Sequence, residues 1–82
     1  MNELLFYQYV SETLILKAIN ISEKYGLSLE KTGSMMADEL KKQNLDNGDF
    51  SHIIPILKAY SGTEYKNKAR DIIIKNLEAI SA

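Results

Sequence analysis

The sequence predicts an all-α protein, a compact four-helix domain with a long N-terminal helix that occupies residues 1–82 as a single domain. Apolar residues recur at helical spacing along the chain, and no segment shows the sustained alternation of a half-buried strand. Glycine, serine and asparagine divide the periodic pattern into four segments. With 45% hydrophobic and 26% charged residues among 82, the composition is that of an ordinary globular domain.

The first helix is predicted to begin after Asn2, which can act as its N-cap, and to reach about Tyr25. Gly26 follows as a residue that can end the helix in the left-handed conformation. The expected core face of this first helix consists of eight residues that share one side, namely Leu4, Tyr7, Val10, Leu14, Ile15, Ala18, Ile21 and Tyr25.

The same helix carries a second stripe, spaced 4, 3, 4, 3 and 4 residues apart: Leu5, Tyr9, Glu12, Leu16, Ile19 and Glu23. Three explanations are open. The other helices wrap a central first helix and bury the stripe, or the stripe is the seam of a homodimer, or it docks on a different protein. The candidate partner-binding residues are therefore Leu5, Tyr9, Glu12, Leu16 and Ile19.

The second helix is predicted from Leu29 to about Gln43, with Ser28 as its N-cap. Its buried face consists of Leu29, Gly33, Met36 and Leu40. A glycine inside a helix costs about 1 kcal/mol relative to alanine, so Gly33 on the inward face predicts the close approach of another helix. The alternative is that Thr32 or Ser34 restarts the helix after an irregular turn.

A loop is predicted over residues 44–49, and Asp49 or Ser51 then caps a short third helix that ends near Tyr60. Pro55 marks either the first turn of this helix or a kink after Ile54. The third helix is apolar on most sides, which predicts a central and well-covered position.

The last helix is predicted to begin at residues 61–64, whose order Ser-Gly-Thr-Glu fits a capping box, and to end near Ile80. The residues expected to face inward are Tyr65, Ala69, Ile72, Ile73, Asn76 and Ile80.

The residues that enzymes and metal sites need are scarce. The chain has no cysteine and a single histidine, His52, which excludes thiolate zinc sites, disulfides and an intramolecular triad. Asp46 and Asp49 lack the spacing of an EF-hand, and the four glycines are too scattered for a phosphate-binding loop. We therefore expect a protein that is not an enzyme and that has no cofactor and no metal.

The formal net charge is −1, whereas general nucleic-acid binders carry a positive surplus. The N-terminus lacks a basic region followed by an apolar run and a cleavage site, and no run reaches about 18 apolar residues. We expect a soluble, cytoplasmic protein without a membrane partner.

A helix-turn-helix is the alternative that residues 25–28 suggest, because Tyr-Gly-Leu-Ser lies between two helices. The recognition helix would present Glu30, Lys31 and Ser34, which include one cation and no arginine. An ordinary helical hairpin explains the same residues, so nucleic acid is not expected to be the main partner. The candidate nucleic-acid contacts are Lys31, Lys66, Lys68 and Arg70, the last three alternating with acidic residues.

Residues 24–64 carry Tyr-Gly-Leu-Ser at 25–28, Glu39 and Leu40 in the following helix, and Phe-Ser-His-Ile-Ile-Pro at 50–55. In these features the chain resembles the small accessory proteins with which phages activate late-promoter transcription. That resemblance implies a non-enzymatic helical coactivator that joins RNA polymerase, near its β-flap, to the sliding clamp on DNA. Residues 1–21 lack the family's acidic N-terminal region, and residues 76–82 do not form a convincing clamp-binding tail.

Together these observations predict a small non-enzymatic adaptor or regulator that docks on a larger protein, with a phage or bacterial transcription complex as the expected partner. The alternatives are a helix-turn-helix DNA-binding regulator and a self-assembling structural subunit that uses the second stripe as its seam.

Overall fold

The computed structural model describes residues 3–81, so the proposed N-cap Asn2 lies outside the described residues. Four α-helices follow one another along the chain: α1 (Glu3–Tyr25), α2 (Leu29–Lys42), α3 (Ile53–Ala59) and α4 (Glu64–Ser81). A short 3₁₀ segment, Leu45–Gly48, lies between α2 and α3, and the described part of the chain contains no strand. The predicted fold class, all-α with four helices and a long first helix, is confirmed.

The middle of α1 packs into the core as predicted, with Leu14, Ile15 and Ala18 buried. Leu4 and Tyr25 are exposed, so their assignment to the core face was wrong. At about 34 Å, α1 is longer than α2 at about 21 Å and α4 at about 27 Å, so neither of these helices can cover its whole length.

Helix α2 is continuous and begins as predicted. The hydroxyl oxygen of Ser28 accepts a hydrogen bond from the backbone N–H of Lys31 at 3.1 Å, and Gly26 ends α1 with φ +66°. The four predicted inward residues of α2 are buried, and a Cβ on Gly33 would overlap the side chain of Ile72 in α4. The close approach of another helix at Gly33 is therefore confirmed, and no restart occurs at Thr32.

Helix α4 begins at Glu64, close to the predicted start, but its cap is Thr63 rather than Ser61. The Thr63 hydroxyl accepts from the N–H of Lys66 at 3.3 Å. Ala69 and Ile73 are buried as predicted, together with Ile74 and Leu77, whereas Tyr65 is exposed. Compared with the predicted face, the buried face of α4 is rotated away from Tyr65. The reason is that α4 packs against α1, α2 and α3, and all three define its inward side.

Helix α3 is short and covers one side of the fold instead of lying at its centre. Ile53, Leu57 and the preceding Phe50 are fully buried, while Pro55 and Ala59 are exposed. Pro55 lies in the first turn of α3, where a backbone N–H would have no acceptor within the helix, so the lack of one in proline costs no helical hydrogen bond. One core cluster joins residues of all four helices and sets the position of α3 against α1 and α4.

Candidate functional site

Three large apolar side chains on the outer side of α1 are exposed to solvent. The exposed fractions are 62% for Leu5, 70% for Tyr9 and 45% for Leu16. On a helix these three positions fall within an arc of about 40° and extend over about 16 Å. We call Leu5, Tyr9 and Leu16 the exposed stripe, and the structure shows that they are not core residues.

The remaining members of the second stripe divide differently. Ile19 is only 8% exposed and belongs to the core cluster, so its assignment to a partner-binding surface was wrong. Three residues after Leu16, a helical position has turned by about 60°, which carries Ile19 toward the core. Glu12 and Glu23 are exposed. The candidate docking surface therefore consists of the exposed stripe with Glu12 beside it, while Glu23 lies about two turns beyond Leu16 and outside the stripe.

A groove of about 460 Å³ runs beside the exposed stripe, between the first half of α1 and helix α3. Its walls combine apolar and polar groups: Leu4, Gln8, Ser11, Glu12, Pro55, Ile56, Ala59, Tyr60 and Ser61. Glu12 borders both features, since its helical position lies between those of Gln8 in the groove and Leu16 in the exposed stripe. The groove and the exposed stripe thus form one continuous surface.

A polar cluster of Tyr7, Asp46 and His52 joins α1 to α3 near this groove. The Asp46 side chain is 4% exposed, and its Oδ2 accepts hydrogen bonds from the backbone N–H groups of His52 at 2.5 Å and Ile53 at 3.2 Å. These N–H groups lie at the start of α3, so Asp46 serves as its cap. The predicted capping by Asp49 or Ser51 was wrong, because the Asp49 side chain accepts instead from the N–H of Ser51.

The side chains of the cluster contact one another directly. His52 Nδ1 lies 2.6 Å from Asp46 Oδ1, and the Tyr7 ring stacks on the His52 ring with centroids 5.6 Å apart. The Tyr7 hydroxyl donates a long hydrogen bond of 3.5 Å to Asp46 Oδ1. Because Tyr7 belongs to α1 and His52 precedes α3, these contacts join α1 to the start of α3.

The side chains of the cluster shift one another's pKa values. The hydrogen bond to Asp46 and its negative charge raise the pKa of His52. Desolvation favours protonation of Asp46, but hydrogen bonds from His52 and Ile53 outweigh it and leave the pKa of Asp46 below its usual value. Burial and the charge of Asp46 raise the pKa of Tyr7. Asp46 and His52 therefore form an ion pair whenever His52 is protonated.

The loop that carries Asp46 has a left-handed backbone at several residues, which the sequence pattern did not predict. Asn44, Asp46, Asn47 and Phe50 all have positive φ values, between 53° and 59°. Asparagine and aspartate tolerate this left-handed conformation better than other residues with side chains, so the run Asn-Leu-Asp-Asn-Gly-Asp was the available signal. The conformation turns the Asp46 carboxylate back toward the start of α3.

The candidate nucleic-acid contacts do not all offer their charge to a ligand. Arg70 donates one guanidinium hydrogen bond to the carbonyl of Tyr60 and another, from Nε at 2.9 Å, to Asp71. Its charge is therefore used within the fold. Lys31 and Lys68 are exposed, and Lys66 is half-buried. Residues 3–81 contain no group of three acidic or histidine side chains that could hold a metal ion.

No family model, no curated protein and no solved structure matches this chain. None of the helices in residues 3–81 has the length and apolar character needed to cross a membrane.

Proposed function

We propose that this protein is a small non-enzymatic helical adaptor that docks on a larger protein through the exposed stripe of α1. The observation that carries the proposal is the position of Leu5, Tyr9 and Leu16 on one helix face, each 45% exposed or more. Full burial of one such side chain contributes about 1.5–3 kcal/mol, so covering the three supplies several kcal/mol to an association.

Glu12 favours a foreign partner over a second copy of the chain. A twofold dimer places the centre of its interface against the same residues of the other copy. The centre of the exposed stripe falls between residues 10 and 11, so a symmetric seam centred there would bring the two Glu12 carboxylates within about one helical turn of each other. Like charges that meet across an interface destabilise it.

The resemblance of residues 24–64 to phage late-promoter coactivators makes a bacterial RNA polymerase complex the first partner to test. Such a partner would have to offer an apolar surface that matches the length of the exposed stripe, about 16 Å.

The test is affinity capture from cells of the source organism with the intact chain and three variants. Tyr9→Ser and Leu16→Ser remove parts of the exposed stripe, and Tyr65→Ser is the matched control because Tyr65 is an exposed tyrosine on α4. We expect the same partner to be retained by the intact chain and by Tyr65→Ser and lost with both stripe variants, all four chains giving the same helical circular dichroism.

Equal recovery of the partner with all variants would contradict docking through the exposed stripe. Light scattering on the purified chain provides the second arm. A dimer that becomes monomeric in Leu16→Ser would assign the exposed stripe to self-assembly and overturn the proposal of a foreign partner.

A further inference from the structure

Among the described residues that line the groove between α1 and α3, Glu12 is the one with a charged side chain. Glu12 is exposed, and no basic side chain in residues 3–81 forms an ion pair with it. Lys58, the lysine of α3, is paired instead with Glu78 of α4, with Nζ and Oε2 3.4 Å apart. The groove therefore presents a carboxylate whose charge no ion pair within residues 3–81 neutralises.

The walls beside Glu12 suit an aliphatic chain. Leu4 of α1 and Pro55 and Ile56 of α3 provide apolar surface, and Gln8, Tyr60 and Ser61 add polar groups. Lysine and arginine side chains have the matching structure, an apolar stem that packs along hydrophobic surface and a cationic end that stays near a carboxylate or water.

We propose that the groove receives a lysine or arginine side chain of the partner, with its stem along Leu4, Pro55 and Ile56 and its cation on Glu12. This inference rests on the proposed function and names the chemistry of the partner: an apolar segment, seated on the exposed stripe, that carries a basic residue at its edge. Charge complementarity at Glu12 favours this occupant over a second copy seated symmetrically on the exposed stripe, because that copy would bring its own Glu12 carboxylate close by.

The chemistry can be tested without the partner by using three ligands of equal chain length. The probes are n-hexylammonium, 1-hexanol and hexanoate, each titrated into the ¹⁵N-labelled full chain while amide chemical shifts are recorded. We expect n-hexylammonium to shift the amides of Gln8, Glu12 and Ala59 and to bind about two- to five-fold more tightly than 1-hexanol, as for an exposed ion pair. Hexanoate is expected to bind most weakly.

Two variants separate the charge of the groove from the overall charge of α1. Glu12→Gln should remove the preference for n-hexylammonium over 1-hexanol, whereas Glu23→Gln, which changes an exposed glutamate outside the groove, should preserve it. Equal binding of the three probes to the intact chain would overturn the proposal. The absence of shifts in the groove, or an equal loss of preference in Glu23→Gln, would overturn it as well.

The outcomes distinguish this inference from the proposed function. If the probes fail while capture still depends on Tyr9 and Leu16, the exposed stripe docks a partner without a basic residue in the groove. If the probes bind as expected while no protein depends on the exposed stripe, the groove selects cationic chains and the adaptor function is wrong.

Discussion

Replacement of Asp46 by alanine is expected to destabilise the protein by about 2–3 kcal/mol. The Asp46 carboxylate accepts from the first two N–H groups of the segment that starts α3, at 2.5 and 3.2 Å, and loss of a cap costs about 1–2 kcal/mol. Asp46 also has φ +57°, and placing alanine in this left-handed conformation adds about 1 kcal/mol. For a domain of this size, the sum corresponds to a fall in Tm of about 8–24 °C.

The assay is thermal and urea unfolding followed by circular dichroism, with two control variants. Asp46→Asn keeps an oxygen acceptor and a side chain that tolerates positive φ, so we expect it to lose no more than about 1 kcal/mol. Asp49→Ala removes an exposed acceptor from the N–H of Ser51 and should also cost less than about 1 kcal/mol. A stability of Asp46→Ala within about 0.5 kcal/mol of the intact chain would refute the assignment of Asp46 as the cap of α3.

Three further predictions concern packing and pH. Gly33→Val should destabilise by about 1–3 kcal/mol in urea unfolding, because any Cβ at this position meets α4; unchanged stability would contradict the tight α2–α4 contact. The pKa of His52 is raised in the folded state, so its stabilising contribution is complete below about pH 6.5 and is lost as the pH rises through the folded value. This loss, measured by urea unfolding from pH 5 to 8, should be absent in His52→Gln and reduced in Asp46→Asn. Leu16→Ala should change stability by about 0.5 kcal/mol or less and Ile19→Ala by about 2–5 kcal/mol, and equal costs would contradict their different burial.

The end of α1 and the start of α2 are the parts of the fold that local chemistry determines. Gly26 adopts positive φ and Ser28 caps α2 because each acts within a few residues of its own position. The rotation of α4 was not predictable in this way, since a helical period identifies which residues share a face but not which neighbours cover it. The exposure of Leu4 and Tyr25 likewise depends on the relative lengths of packed helices.

The sequence predicted which apolar residues share the outer face of α1, but not which of them are buried. The spacing of Leu5, Tyr9, Leu16 and Ile19 identified the apolar surplus of α1, but only the packed structure separates Ile19 in the core from the exposed stripe. The capping role of Asp46 could not be predicted from the sequence for another reason. Its hydrogen bonds to residues 52 and 53 require a loop with left-handed backbone, and no local rule brings this carboxylate to the start of α3.

Docking of the exposed stripe on a foreign protein is tested most directly by site-specific photo-crosslinking in cells of the source organism. A photo-reactive phenylalanine analogue replaces Tyr9, and the same analogue at Tyr65 provides the control on α4, since both side chains are exposed. The account predicts that position 9, and not position 65, becomes linked to a larger protein that mass spectrometry identifies. No adduct at position 9, or adducts only between copies of this chain, would contradict it.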